Sequence, residues 1–331
     1  MRREEKPIMR TITVEEHFAS PGFLEGPGRE VKERAKAGGR FANLLERLTD
    51  IGAGRIAAMD EAGIDMQVLS LTAPGVEQTD VAEAAAIARE SNDYLAAAVK
   101  KNPQRFAALA ALPVGAPDQA AAELDKRVRQ DGFKGAIING HNRGRYLDDR
   151  FFSPILECAE TLEVPIYLHP ARPPQAVMAA QFGGFAPLVN EAFSGPGWGW
   201  HIETALHIVR LCLGGVFDRY PKLQIATGHL GEGLIGLFQR FDFALAPGLT
   251  KLQRPITDYL RGNLHYSFSG FNFPATFLAL LLEVGAGRIM FSADHPYQSM
   301  KDARAFLQQL PVSAADRERI AHGNAEKLFK L

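Results

Sequence analysis

The chain has 331 residues, of which 46% are hydrophobic and 23% are charged, a balance typical of a soluble globular protein with a large core. Its formal net charge is −1 and the sequence shows no basic stripe, so nothing favours nucleic-acid binding. No apolar run approaches the roughly 18 residues needed to cross a bilayer. The charged N-terminal segment MRREEKPIMR is followed by no apolar signal-peptide core, so we expect a soluble, cytoplasmic protein.

Eight short apolar runs are typical of strands that are buried on both faces, as in a parallel sheet. We predict strands at Thr11–Phe18, Met66–Thr72, Phe106–Pro113, Gly135–Gly140, Val164–Pro170, Leu223–His229, Leu264–Phe271 and Ile289–Pro296. Amphipathic or apolar stretches lie between these runs. They predict helices at Asp80–Lys101, Asp118–Gln130, Phe151–Leu162, Gly231–Leu245 and Phe273–Gly285, with a capping helix at Ser313–Leu331.

The alternation of strands and helices predicts βαβ units, and eight of them favour closure into an α/β fold of the (β/α)8 TIM-barrel type. We find no linker, low-complexity tract or internal repeat, so residues 1–331 are expected to form one domain. Cys158 and Cys212 lie in apolar helical stretches and are interpreted as small buried hydrophobes, with a disulfide or a reactive thiol as the alternative.

Two segments, 21–39 and 171–200, interrupt the pattern with many glycines and prolines. Both follow a strand, so in a barrel they are insertion loops over the C-terminal face, where lids and pocket walls are built. The alternative is a mobile surface insertion. The second segment carries aromatic side chains that are costly to leave in water, which favours a lid, a pocket wall or a subunit interface; they are Phe182, Phe185, Phe193, Trp198 and Trp200.

Acidic and histidine side chains recur at the predicted strand ends. Glu15 and His17 lie two residues apart on strand 1, so both should point to one face, whereas Glu16 points away and is interpreted as structural. His169 ends strand 5 and Asp294 ends strand 8. Each has an ordinary alternative as a structural histidine or a turn former. Together they form a ligand set suited to Zn²⁺ or Mn²⁺, which would compensate two buried carboxylates.

His229 ends strand 6 and is followed three residues later by Glu232. We expect Glu232 to open the next helix and to accept a hydrogen bond from one ring nitrogen of His229. The other nitrogen would then face the substrate, as a positioned acid or base requires. A fifth metal ligand or a core histidine is the alternative reading of His229.

Several motifs resemble those of the amidohydrolase-related metal-dependent decarboxylases, a family that includes γ-resorcylate and 5-carboxyvanillate decarboxylases. The matching segments, spread from about Ile12 to the C-terminus, are VEEHF, YLHP, GHLGE, SADHPY and GNAEKLFKL. The resemblance implies one divalent metal ion, held by Glu15, His17, His169 and Asp294, with His229 as a catalytic neighbour. It also implies that no organic cofactor is needed and, together with the aromatic insertion, a homodimer or homotetramer.

Two details separate this chain from related hydrolases with two metals. Those enzymes use His-x-His on strand 1 and a carboxylated lysine on strand 4, whereas this chain has Glu-x-His and ends strand 4 with Asn139-Gly140-His141. A single metal is therefore favoured. His295 follows Asp294 where the similar decarboxylases often carry Tyr or Trp, and this difference bears on the identity of the substrate.

The function we expect is non-oxidative decarboxylation of a hydroxybenzoate, a carbon–carbon lyase reaction. Protonation of the carboxyl-bearing ring carbon avoids an aryl carbanion, and the resemblance suggests Asp294 as the donor, with His229 and Glu232 orienting or relaying protons. The main alternative is a metal-dependent hydrolase of a lactone, amide or ester, with Asp294 as the base. A hydratase and a non-enzymatic binding protein are further alternatives.

Five residues are candidates for binding the aromatic acid. Arg55 and Arg240 could grip a second carboxylate or a ring substituent, or could simply lie on exposed helix surfaces. His141 follows strand 4 on the expected catalytic face. Phe23 and Trp198 could sandwich the ring, or could pack within a lid.

Overall fold

The computed structural model describes residues 9–36 and 43–331. Residues 37–39 of the first insertion and most of the N-terminal segment MRREEKPIMR therefore lie outside the described residues. Among the helices that the structure describes, none combines the length and the apolar character needed to span a membrane.

Parallel strands form the centre of the fold. They are β1 (Ile12–Phe18), β2 (Met66–Leu71), β3 (Phe106–Ala108), β4 (Ala110–Ala111), β5 (Ala136–Asn139), β6 (Ile166–His169), β7 (Ile225–Thr227), β8 (Leu264–Ser267) and β9 (Ile289–Met290). Strands β1–β2–β3 and β4–β9 pair in sequence order, always in parallel. Every residue in these strands is buried, as expected for a sheet that is covered on both faces.

Two junctions close the strands into a barrel. The predicted third strand is split at Leu109, whose amide donates to the Leu69 carbonyl at 2.9 Å, and the next amide, that of Ala110, donates to the Gly135 carbonyl at 2.9 Å. The split strand thus pairs with both neighbours. A parallel bridge between Val14 and Ser292 joins the first strand to the last. Eight chain segments therefore form a closed ring, and the predicted (β/α)8 barrel is confirmed.

The helices surround the strands. They are α1 (Pro21–Glu25), α2 (Arg29–Lys36), α3 (Leu44–Thr49), α4 (Ala53–Ala62), α5 (Val81–Lys101), α6 (Pro117–Asp131), α7 (Ser153–Leu162), α8 (Gln175–Gln181), α9 (Pro187–Ser194), α10 (Gly199–Leu213), α11 (Val216–Arg219), α12 (Phe238–Ala244), α13 (Pro247–Thr250), α14 (Ile256–Gly262), α15 (Pro274–Val284), α16 (Met300–Gln309), α17 (Ala314–Glu318) and α18 (Asn324–Phe329). Both cysteines are free thiols; Cys212 is buried and Cys158 is half-buried.

The insertions are helical rather than loop-like, which corrects the expectation. Segment 21–36 forms α1 and α2, and segment 171–200 contains α8, α9 and the start of α10. Local signals explain this result. The Ser20 hydroxyl accepts from the Phe23 amide and caps α1, while proline occupies the first turn of both α1 and α9, where its fixed φ suits a helix.

Two predicted helices are also wrong in detail. Residues 231–233 form turns, Ile235–Leu237 forms a short 3-10 helix, and α12 starts only at Phe238, because Gly231 and Gly233 adopt φ values of 91° and 84° that no right-handed helix contains. The C-terminal segment is divided into α17, a π-helical turn at Arg319–Gly323, and α18. Directly after that turn, the side-chain amide of Asn324 donates to the main-chain carbonyls of Ala286 and Ile289, both at 2.7 Å.

Candidate active site

The four predicted metal ligands converge where the strands end and are called here the ligand cluster; they are Glu15, His17, His169 and Asp294. His17 Nε2 lies 3.2 Å from Asp294 Oδ1, and His169 Nε2 lies 3.5 Å from Glu15 Oε1. The rings of His17 and His169 are 4.9 Å apart in an edge-to-face arrangement. All four side chains are buried. The topology accounts for this convergence, because parallel strands present their carboxyl ends on one face of the barrel.

The donor atoms fit a divalent metal ion. Glu15 Oε1 and both ring nitrogens of His17 are buried and have no hydrogen-bond partner among the described residues. His169 Nδ1 contacts the Pro170 carbonyl at 2.8 Å, so this nitrogen carries the proton and Nε2 is left as a lone-pair donor. One donor atom from each of Glu15, His17 and His169 lies within 4.8 Å of the others. Two imidazoles and two carboxylates, including Asp294, form a set that Zn²⁺ or Mn²⁺ accepts.

Three hydroxyl groups hold the other oxygen of Glu15. Tyr167 and Ser269 both donate to Glu15 Oε2, and Ser267 lies 3.4 Å from the same atom. The backbone also approaches closely, because a Cβ atom on Gly228 would lie 2.3 Å from Glu15 Oε2. Only glycine fits there. These contacts fix the carboxylate so that Oε1 faces the ligand cluster.

These three supporting residues were not predicted from the sequence. A signal for Tyr167 was present, since it lies two residues before His169 and so shares its side of β6. The serines carried no comparable signal, because nothing in their local sequence relates them to a carboxylate more than 250 residues away.

Several site residues have left-handed backbone conformations. The φ angles are 61° at Glu15, 48° at His229, 45° at Ser269 and 58° at Asp294. At Glu15 the register between β1 and β2 shifts, so a bulge replaces the regular alternation that the sequence predicted. Strained conformations of this kind cost about 1–3 kcal/mol each and are concentrated at functional sites.

The expected contact between His229 and Glu232 is present, but the local structure differs from the prediction. His229 Nδ1 lies 2.8 Å from Glu232 Oε1, and both residues are buried. Glu232 has a φ of 56° and lies in a turn rather than at the start of a helix. Sequence reasoning missed a second imidazole, His201 on α10, whose Nδ1 lies 2.6 Å from Glu232 Oε2.

The electrostatics of this group favour a charged pair. Burial lowers the pKa of His229, but the negative charges of Glu232 and Glu15 outweigh it and raise the pKa to about 10. Burial raises the pKa of Glu232, whereas the charge of His229 and hydrogen bonds from His201 and His229 lower it to about 2. At neutral pH an imidazolium therefore faces an ionised carboxylate beside the ligand cluster.

Glu16 has the structural placement that the sequence suggested. Its carboxylate accepts hydrogen bonds from the main-chain amides of Ala293, at 2.8 Å, and His295, at 3.1 Å. The amide of His17 in turn donates to the His295 carbonyl at 2.8 Å. These bonds join β1 to the segment that carries Asp294, so the two halves of the ligand set are held in register.

The predicted substrate residues are only partly brought to the site. His141 is buried, and its Nδ1 accepts from the Gly144 amide at 3.0 Å, which leaves Nε2 without a described partner. Trp198 is 52% exposed at the start of α10. Trp200, which we did not select, lies closer, with its ring 6.5 Å from that of His169.

The other three substrate candidates differ in their surroundings. The Arg55 guanidinium is buried and donates to the main-chain carbonyls of His17 and Arg47 at 2.7 Å and of Asp50 at 2.9 Å. Phe23 is fully buried in the core, and Arg240 is exposed beside the Phe243 ring. Contacts within the protein account for the Arg55 guanidinium, whereas substrate contacts by Phe23 and Arg240 stay predictions.

A closed parallel barrel with imidazole and carboxylate ligands at its strand ends defines the class of metal-dependent barrel enzymes. Residues 17–331 match the family model for amidohydrolases, Amidohydro_2. The chain belongs to this family.

Similar proteins include a γ-resorcylate decarboxylase from Polaromonas sp. strain JS666, which is 39% identical over 97% of this chain and 98% of its own length. Two solved structures are also similar. The first is dihydroxybenzoic acid decarboxylase from the same strain with manganese and the inhibitor 2-nitroresorcinol (37% identity, TM-score 0.88, 97% of each chain). The second is 5-carboxyvanillate decarboxylase from Novosphingobium aromaticivorans with manganese and 4-hydroxy-3-methoxy-5-nitrobenzoic acid (33% identity, TM-score 0.89, 97% of this chain and 96% of that chain).

Proposed function

We propose that this enzyme, a metal-dependent carboxy-lyase of hydroxylated aromatic acids, acts on γ-resorcylate (2,6-dihydroxybenzoate). Two buried atoms at the strand ends carry the assignment of the metal site. Glu15 Oε1 and His17 Nε2 have no hydrogen-bond partner among the described residues. A buried polar atom without a partner calls for an explanation, and a bound metal ion would satisfy both of these atoms at once. Similar proteins with manganese and with dihydroxybenzoate-like ligands support the reaction.

The residues divide into holding and proton-transfer roles. Glu15, His17, His169 and Asp294 would hold the divalent ion, which supplies a positive charge for the substrate oxygens and for the negative charge that develops on them. Without the ion, burial raises the pKa of Asp294 to about 7. We assign Asp294 as the group that donates a proton to the ring carbon. The C–C bond then breaks, CO₂ leaves, and the bonding electrons return to the ring.

The pair of His229 and Glu232 would restore the proton. The raised pKa of His229 keeps its imidazole protonated at neutral pH, and its charge and that of Asp294 alter each other's pKa. Glu232 holds the ring through Nδ1 and balances its charge. After the ring carbon has been protonated, His229 would return a proton to Asp294 and regain one from solvent when the products leave.

The placement of the two candidate arginines favours a substrate with one carboxylate. 5-Carboxyvanillate carries a second carboxylate, whose burial needs a cationic partner. Arg55 is engaged by main-chain carbonyls and Arg240 lies on the surface, so neither provides that partner in this chain. γ-Resorcylate carries one carboxylate flanked by two hydroxyls and makes no such demand.

A substrate panel tests the proposal. Purified protein loaded with Mn²⁺ would be incubated with γ-resorcylate and 5-carboxyvanillate while CO₂ and ultraviolet spectra are recorded, with metal content measured in parallel. We expect about one metal per chain and preference for γ-resorcylate. D294N should retain its fold and lose about 10²–10⁴-fold in kcat, the range of general acid catalysis. A loaded protein that releases no CO₂ but hydrolyses lactones or amides would overturn the proposal.

We also propose that copies of this chain associate, as the sequence suggested. Three large apolar side chains on different helices are strongly exposed, namely Leu188 at 80%, Phe243 at 79% and Leu282 at 87%. An interface between copies would remove these apolar groups from water. Sedimentation at micromolar concentration should give a mass that is a multiple of the chain mass, and a monomer would contradict the proposal.

A further inference from the structure

Glu232 is held by two imidazoles. Its Oε1 lies 2.8 Å from His229 Nδ1 and its Oε2 lies 2.6 Å from His201 Nδ1. The two rings are 4.7 Å apart, and the ring of Phe271 lies 5.0–5.1 Å from both. Glu232 is fully buried, so both carboxylate oxygens depend on these contacts for their hydrogen bonds.

The partners of His201 define where its proton lies. Its Nε2 is 3.0 Å from the indole Nε1 of Trp200, and an indole nitrogen can only donate. Nε2 can accept this bond, and the Pro196 carbonyl lies 3.2 Å from the same nitrogen. Nδ1 carries a proton in either case, because the Glu232 carboxylate beside it can only accept. The result is a hydrogen-bond network in which Trp200 donates to His201, and His201 and His229 both donate to the Glu232 carboxylate.

The same three groups, His201, His229 and Glu232, could also be considered as a second metal site, since their donor atoms lie within 4.8 Å. The hydrogen bonds argue against this interpretation. Both oxygens of Glu232 and the Nδ1 atoms of both histidines are already paired with each other, which leaves no converging lone pairs. The arrangement is that of a carboxylate positioned between two N–H donors.

We propose that His201 is a positioning residue for the proton-transfer pair of His229 and Glu232, an inference that rests on the proposed function. Glu232 lies in a turn that also contains His229, and among the described residues His201 supplies the one hydrogen bond to the Glu232 carboxylate from outside that turn. The N–H of His201 fixes Oε2, which orients Oε1 and, through it, the His229 ring. His201 thus joins α10, where the second insertion ends, to the geometry of proton transfer.

Three variants test this role. H201F keeps an aromatic ring and loses the donor, whereas H201N can place an amide N–H near the position of Nδ1. H207F is the matched control, because His207 is another buried imidazole on α10, whose Nε2 accepts from the Leu147 amide. Each variant would be loaded with Mn²⁺, and its kcat, KM and metal content would be measured.

We expect H201F to lose about 10–100-fold in kcat, the usual effect of removing a supporting partner. Its KM and metal content should be unchanged, H201N should recover most of the loss, and H207F should lower stability alone. Nitrogen NMR of ¹⁵N-labelled histidine gives a second readout, in which the ring signals of His229 should move in H201F and not in H207F. Unchanged kcat and signals in H201F, or a loss that follows metal content, would overturn the inference. If the wild-type protein releases no CO₂, the proposed function fails, and the NMR comparison still decides the role of His201.

Discussion

Replacement of Tyr167 by phenylalanine should weaken metal binding without disturbing the fold. The Tyr167 ring is fully buried on β6, and its hydroxyl donates to Glu15 Oε2 and lies 2.7 Å from Ser267 Oγ. Phenylalanine retains the ring and its packing. The change therefore removes one of the few hydrogen bonds that hold the carboxylate in place.

The magnitude follows from the charge of the acceptor. A hydrogen bond to an ionised group contributes about 1.5–3 kcal/mol, and each ~1.4 kcal/mol changes an equilibrium constant tenfold. We therefore expect Y167F to bind Mn²⁺ about 10- to 100-fold more weakly. The pKa works in the same direction: burial already raises that of Glu15 to about 7, and the hydrogen bond from Tyr167 is one of the contacts that oppose this rise. Without that bond, a larger fraction of Glu15 is protonated at neutral pH and cannot bind the metal ion.

Titration of the metal-free protein with Mn²⁺, followed by calorimetry, measures the effect. Y266F is the matched control, because the Tyr266 hydroxyl is equally buried on β8 but donates to the Leu260 carbonyl at 2.7 Å. Y266F should lower the free energy of unfolding and leave the affinity for Mn²⁺ unchanged. Equal affinities in Y167F and the wild-type protein would refute the reasoning that Tyr167 positions Glu15.

Two further predictions concern pH and Arg55. Burial raises the pKa of Glu15 and Asp294 to about 7 and that of Glu16 to about 8, so the stability that their neutral forms provide is lost as pH rises from the ordinary carboxyl pKa of about 4 to these values. The pKa of His229 is raised from 6.5 to about 10, so the stability that its charged form provides is lost between these two values and accounts for most of the loss above pH 7. Histidines with lowered pKa act in the opposite direction only below about pH 6.5. The Tm of metal-free protein should therefore fall between about pH 7 and pH 9, while the rise caused by Mn²⁺ grows; calorimetry that finds a constant Tm would contradict this. R55K should lower the free energy of unfolding by about 1–3 kcal/mol and leave KM unchanged, whereas a tenfold rise in KM at full stability would restore Arg55 as a substrate contact.

The barrel could be predicted from local sequence, because each buried strand is marked by an apolar run of its own residues. Apolar runs such as Ile166–His169 and Ile225–Thr227 indicate buried parallel strands without knowledge of their partners. The helical insertions were misread for the opposite reason. Glycine and proline suggested loops, although proline also suits the first turn of a helix, as Pro187 shows in α9.

The sequence by itself determined the barrel and the strand ends where Glu15, His17, His169 and Asp294 meet. Chain direction is enough for this, because all carboxyl ends of a closed parallel barrel lie on one face. Tertiary structure alone decided which side chains support those residues and which do not. Tyr167 reaches Glu15 across 152 residues and His201 reaches Glu232 across 31, while Arg55 is directed to main-chain carbonyls. Such contacts depend on packing between distant elements, and no local pattern encodes them.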